Sequence, residues 1–115
     1  MKSILFADPN RDLLNSCGEL LRLRGYDVTA VFDGAQVVEK LEEKPFDLAL
    51  VGETLPRIPT ARLLPLIREK GIPVLLLGDE TGTADANLAF PFLPRELYAA
   101  VGRFIPFEMP EEAGA

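Results

Sequence analysis

The chain predicts a single α/β domain built on a parallel sheet, and three observations lead there. Short apolar runs alternate with amphipathic segments, the pattern of parallel strands wrapped by helices. One run, Phe46 to Val51, is almost continuously apolar, as a strand covered on both faces must be. The length of 115 residues suffices for one core.

Ser3 to Ala7 reads as the first strand. Asp8-Pro9 is expected to open the first helix, with Asp8 as N-cap and Pro9 at the first helical position. Leu13, Leu14, Cys17, Leu20 and Leu21 recur at helical spacing and should face the core, with Cys17 as a buried, inert thiol. Gly25 stops that helix. Tyr26 to Val31 alternates as an edge strand does. Asp33-Gly34 turns into a second helix with Val37, Val38 and Leu41 inward, and Phe46 to Val51 is the central third strand.

A third helix should occupy part of Thr60 to Lys70, where Pro65 is awkward. A proline inside a helix removes a donor and clashes with the preceding turn, at about 3 kcal/mol or more. Either the helix begins near Leu64 or its first turn is distorted. Ile72 to Leu77 is the fourth strand, Asn87 to Phe90 a short fifth, and Pro94 opens the last helix, with Leu97, Val101, Phe104 and Ile105 on its buried side. Parallel neighbours usually need a crossover of about a dozen residues or more. The stretch Gly78 to Asn87 holds two glycines and almost no apolar period, so the helix expected between the last two strands is shortened or missing. Residues 1–105 form the domain, and the acidic tail 106–115, which bears Pro and Gly, reads as a linker or a disordered end.

Composition excludes several functions. A net charge of −6 argues against nucleic acid and against an anionic membrane surface. No apolar stretch approaches the roughly 20 residues that span a bilayer. Met1-Lys2-Ser3 runs straight into a strand, so no signal peptide is expected. A single cysteine fits a reducing cytoplasm. With no histidine, His phosphotransfer, histidine bases and most zinc sites disappear together. No nucleophile–base pair, P-loop or dinucleotide fingerprint can be named, so the chain is not expected to be an enzyme, nor to carry a cofactor or metal.

Ile4-Leu5-Phe6-Ala7-Asp8, then Asp47-Leu48-Ala49-Leu50-Val51-Gly52-Glu53-Thr54-Leu55-Pro56, then Pro73-Val74-Leu75-Leu76-Leu77, then Phe90-Pro91-Phe92 together resemble the receiver domain of bacterial response regulators over roughly residues 3–105. The resemblance implies a flavodoxin-like (CheY-like), doubly wound, five-stranded parallel sheet of order 2-1-3-4-5. It also implies where chemistry should sit, beyond the carboxyl ends of strands 1 and 3. Receiver domains carry the phosphoacceptor aspartate where this chain has Gly52, and a second acid beside Asp8 where it has Pro9. They carry Ser or Thr where it has Gly78, and Lys where it has Phe90. Asp8 alone keeps its residue type. Without the second acid, the acceptor and the lysine, neither magnesium nor the charge on a transferring phosphoryl group is stabilised.

The resemblance therefore implies a pseudo-receiver: a phosphorylation-independent protein-interaction module in bacterial signalling or cell-polarity and motility control. Its partners would be signalling proteins, with a homodimer left open. The expected partner surface is the side of the fifth strand and last helix, with Asp85, Asn87, Leu88 and Tyr98, where a shortened crossover should leave apolar surface uncovered. The alternative is a small-ligand sensor in the vacated crevice, with space above Gly52 and Gly78 and Phe90 as an apolar wall. Glu53 is expected to point away from that crevice, because neighbours on a strand face opposite sides. Asp79, Glu80 and Asp85 read as solvated loop acids rather than a cation site. Gly78 and Gly82 are poor phosphate cradles beside those acids. The resemblance also suggests a cis Phe90-Pro91 bond.

Overall fold

A computed structural model describes residues 1–78 and 84–106. The acids Asp79 and Glu80, Gly82 and the tail beyond Pro106 lie outside the described residues. Five parallel strands form one sheet: β1 (Ser3–Ala7), β2 (Asp27–Val31), β3 (Leu48–Gly52), β4 (Val74–Leu77) and β5 (Ala86–Leu88). Their order is β2-β1-β3-β4-β5, the doubly wound arrangement. Helices α1 (Arg11–Leu23), α2 (Gly34–Glu43), α3 (Thr60–Glu69) and α4 (Pro94–Gly102) complete the described elements. Residues 78–85 alone join β4 to β5, fewer than the dozen or so that a parallel crossover usually takes.

The strands split the core in two because their side chains alternate. Ile4, Phe6, Leu48, Leu50, Leu75 and Leu77 meet α1 and α4 through Leu14, Cys17, Leu21, Leu97, Val101 and Ile105. Leu5, Ala7, Ala49, Val51 and Val74 meet α2 and α3 through Val37, Leu41, Leu63, Leu64 and Ile67. Every residue of β3 is buried, as its apolar run demands.

Two expectations need correction, and the two alternatives left open at Pro65 resolve to one. Asp8 is not the cap of α1. Asn10 is, and its carboxamide oxygen accepts from Asp12 N (3.0 Å) and Leu13 N (3.1 Å). Asn satisfies these orphan donors as well as Asp does, and Pro9 places it where they point. Helix α3 begins at Thr60, not near Leu64, with Pro65 inside it. Its first turn is tight, Arg62 N donating to Pro59 O at 2.9 Å. The α2/α3 face of β4 and β5 is not apolar and uncovered. Leu76 is only 4% exposed, and the β5 residue on that face is Asn87. Of the other boundaries, β1 is as expected, the starts of β2, β3 and β4 move inward by one or two residues, β3 extends to Gly52, β5 runs Ala86–Leu88 rather than Asn87–Phe90, and Phe104 and Ile105 pack just beyond the end of α4.

Tight backbone work surrounds the upper loops. Asp33 caps α2 by accepting from Gln36 N at 2.8 Å, and Gly34 N donates to Pro56 O at 3.0 Å. Glu96 caps α4 by accepting from Leu93 N at 2.7 Å. The Phe90-Pro91 bond is cis.

Candidate functional site

The carboxyl ends of β1, β3 and β4 meet at a crevice of about 250 Å³ lined by Asp8, Pro9, Glu53, Thr54, Leu77, Gly78 and Phe90. Local structure places each of them. Asp8 follows β1, and its backbone N donates to Val31 O at 3.1 Å. Its Oδ1 accepts from Asn10 N at 2.8 Å, so Pro9 is bent into a turn, away from the sheet. Glu53 follows β3, with its backbone N donating to Leu77 O at 3.1 Å. Gly78 follows β4, its N donating to Leu88 O at 3.0 Å and its O accepting from Asn87 Nδ2 at 2.8 Å.

The two glycines are roofed by acids. A Cβ on Gly52 would lie 2.5 Å from Asp8 Oδ2 and 3.2 Å from Asp8 Cγ. A Cβ on Gly78, whose φ is +152°, would collide with Glu53 Oε2. The space expected above Gly52 and Gly78 is therefore filled by the carboxyl groups of Asp8 and Glu53. Glu53 is a correction: it sits in the crevice because β3 ends at Gly52 and strand alternation stops there. The Gly52 carbonyl faces the other way and accepts from Thr60 Oγ1 at 2.8 Å.

Phe90 lines the crevice from its lip. The residue is 49% exposed, and its ring stacks at a tilt on Phe92, with centroids 5.1 Å apart. Asp8 is 7% exposed. Burial pushes its carboxyl pKa up, and the bond from Asn10 N only partly opposes that. Burial also raises the Cys17 thiol, with the Asp8 charge adding to the effect.

The sign of the Asp8 shift gives a test. At a pH below its ordinary value of 3.8 the carboxyl is neutral in both folded and unfolded chains and costs nothing. As pH rises through the raised folded value, the native state holds the proton longer than the unfolded state does, so stability falls. Asp8→Asn keeps the acceptor for Asn10 N and carries no charge. Its urea midpoint is expected to exceed wild type at pH 7, with the gain vanishing below about pH 4. An equal or lower midpoint at pH 7 contradicts this.

Magnesium takes oxygen ligands in a near-octahedral shell. Here Asp8 and Glu53 are the carboxylates of the crevice, Pro9 offers no side-chain oxygen and Gly52 no side chain. Among the described residues no group of three or more Asp, Glu or Cys is gathered as a metal site. The residues present do not fit that ion.

The four partner-surface candidates do not form one free patch. Asp85 Oδ2 accepts from Val74 N at 2.7 Å and its Oδ1 pairs with Arg68 at 3.6 Å, at the far end of the sheet from Gly78. Asn87 is bonded to Gly78 O. Leu88 is half-buried on the α1/α4 core. Tyr98 donates to Leu20 O at 3.0 Å beneath the guanidinium of Arg24, 4.1 Å from its ring centroid. The large exposed apolar side chains at this end of the sheet are instead Phe90 and Leu93, which the sequence signals only by lying next to Pro91 and Pro94. No helix among the described residues is long and apolar enough to cross a membrane.

Comparison with known proteins agrees with the fold. No family model matches the chain. The DNA-binding response regulator MtrA of Mycolicibacterium paratuberculosis is 29% identical over 109 residues, covering 85% of this chain and 48% of that protein. The chain thus spans about half the length of the curated relatives it matches. Among solved structures, the receiver domain of the sensor histidine kinase PA1611 of Pseudomonas aeruginosa, with magnesium in its active-site cleft, is 28% identical with a TM-score of 0.81. The match covers 90% of this chain and 97% of that one. The chemotaxis response regulator CheY4 of Vibrio cholerae superposes with a TM-score of 0.83 over 91% of this chain and 99% of that one, at 21% identity.

Proposed function

From this chain's standing as a response-regulator receiver (CheY-like) domain of two-component signalling, which its homologues and structural neighbours support, we propose that it acts without phosphorylation, as a protein-interaction module. The observation that carries the proposal is Gly52. The position that should bear an acceptor carboxylate has no side chain, and Asp8 Oδ2 occupies the space one would need. Pro9, Gly78 and Phe90 remove the remaining donors and the cation that phosphoryl transfer requires. On this reading the domain is not an enzyme. It works in the bacterial cytoplasm through signalling-protein partners, in pathways such as polarity or motility control. The half-exposed Phe90 and Leu93 at the β5–α4 corner support a partner surface there, beside Asn87 and Leu88. The crevice itself supports a second reading, ligand sensing, with two carboxylates beside Leu77 and Phe90 in its lining.

The test is a phosphoryl mimic. With magnesium and beryllofluoride added, the amide resonances of Asp8, Gly52 and Glu53 are expected to stay in place. Saturable shifts centred on those residues would sink the proposal.

A further inference from the structure

We propose that the groove between α2 and α3 is a self-association surface, taking the same groove of a second copy of this chain in a two-fold contact. Two hollows run into one another there. One, of about 490 Å³, opens beside the residues that lead into β3 and β4, with Leu41, Pro45, Phe46 and Ile72 as its apolar side. The other, of about 370 Å³, lies between the helices against Val38, Leu41 and Leu66. Leu41, Glu42 and Lys70 line both. Leu66 is 42% exposed, because α3 buries Leu63, Leu64 and Ile67 and turns the residue between them outward. The groove thus carries an apolar knob beside apolar hollows.

The charges on its rim are only partly paired. Glu43 pairs with Lys40 at 3.2 Å and Lys44 with Asp27 at 3.6 Å. Glu42, Glu69 and Lys70 are exposed and have no ion-pair partner among the described residues. These leftovers select the occupant. A basic partner meets Lys70, an acidic one meets Glu42 and Glu69, and like charges set face to face in a closed contact repel. A face with unpaired charges of both signs, and with both a knob and hollows, complements itself. In an isologous contact each residue pair occurs twice, so Lys70 of one copy faces Glu42 of the other and each Leu66 enters the other's hollow. Removing the apolar floor from water supplies the drive. The net charge of −6 opposes the approach of two copies and places the association in the weak range. This surface is separate from the β5–α4 corner. It does not depend on phosphorylation independence, which beryllofluoride tests.

Sedimentation equilibrium of the full chain at concentrations up to about 1 mM reads the result. A concentration-dependent dimer is expected. Leu66→Glu, at an exposed position outside the core, should weaken it by about tenfold or more. Lys70→Glu and Glu42→Lys should each weaken it by about tenfold, because each sets like charges opposite one another. An equimolar mixture of those two variants should recover the wild-type affinity. In that heterodimer every reversed charge again faces its opposite, a readout that only contact between copies gives. Leu93→Glu, at the β5–α4 corner, should leave the dimer unchanged. The proposal is overturned if wild type stays monomeric throughout, if Leu66→Glu dimerises as wild type does, if the mixture recovers nothing, or if Leu93→Glu abolishes the dimer. Should Leu66→Glu fail to fold, the charge-reversed mixture decides alone.

Discussion

Gly52→Asp is expected to yield a less stable protein that still accepts no phosphoryl group from acetyl phosphate. The new Cβ must displace Asp8 Oδ2 from 2.5 Å away, and the new carboxylate then shares a cation-free pocket with Asp8. Two carboxylates in one such site cannot both ionise freely. The loss at neutral pH should be about 2–3 kcal/mol, from a buried like-charge pair on top of local crowding. Below about pH 4, where both groups protonate, only the crowding cost should remain. Gly52→Ala separates the two terms, because its methyl group needs only the end of the Asp8 side chain to move. Chemistry does not return with the acceptor, since Pro9, Gly78 and Phe90 still offer neither metal ligands nor a cation. Rapid stoichiometric labelling of the variant would overturn this account, as would a urea midpoint equal to wild type at pH 7.

Gly34→Ala should be the most destabilising single-methyl change in the upper loops. A Cβ there runs into the Ile58 carbonyl oxygen and stands 2.7 Å from Ile58 Cβ. Unlike the carboxylate over Gly52, this obstacle is backbone, and it is held. Pro56 O accepts from both Gly34 N (3.0 Å) and Ile58 N (2.9 Å). Between them Arg57 adopts φ of 72°, a left-handed conformation costly for a non-glycine residue. The loop between β3 and α3 therefore has little slack, and the methyl group should cost about 3 kcal/mol, the upper range for overpacking. Gly102→Ala is the contrast. Nothing lies within 4 Å of its added carbon, and the residue is helical. That change should add about 0.5–1 kcal/mol of stability. Urea midpoints at constant slope check both, and a Gly34→Ala midpoint close to wild type contradicts the packing described.

The sheet was legible because its signals are periodic and redundant. The run through Leu48 to Val51 has no polar residue to misplace, and Asp33-Gly34 names both the cap and the start of α2. The reduced crossover was legible as well, since Gly78 to Asn87 contains too few apolar residues to cover a sheet. What failed were choices between near-equivalent residues. Asp8-Pro9-Asn10 offers two side-chain acceptors, and sequence alone does not say that Asn10 takes the helix while Asp8 turns to the crevice. Glu53 was misplaced because alternation holds only while a strand lasts, and β3 stops one residue earlier. The filling of the space over Gly52 and Gly78 depends on which way two neighbouring side chains fall, and no spacing pattern encodes that. The exposed apolar face inferred for β4 and β5 failed for a related reason: the short β5 turns its one central residue, Asn87, to that side.

That asparagine has a mechanical consequence. Through its side chain and the amide–carbonyl bond one residue along, the outermost strand grips the mouth of the crevice at two points. On the proposed docking reading, a protein seated against this strand would pull on the same glycine that the Glu53 carboxyl covers. Docking outside and occupancy within would then be two loads on one strap.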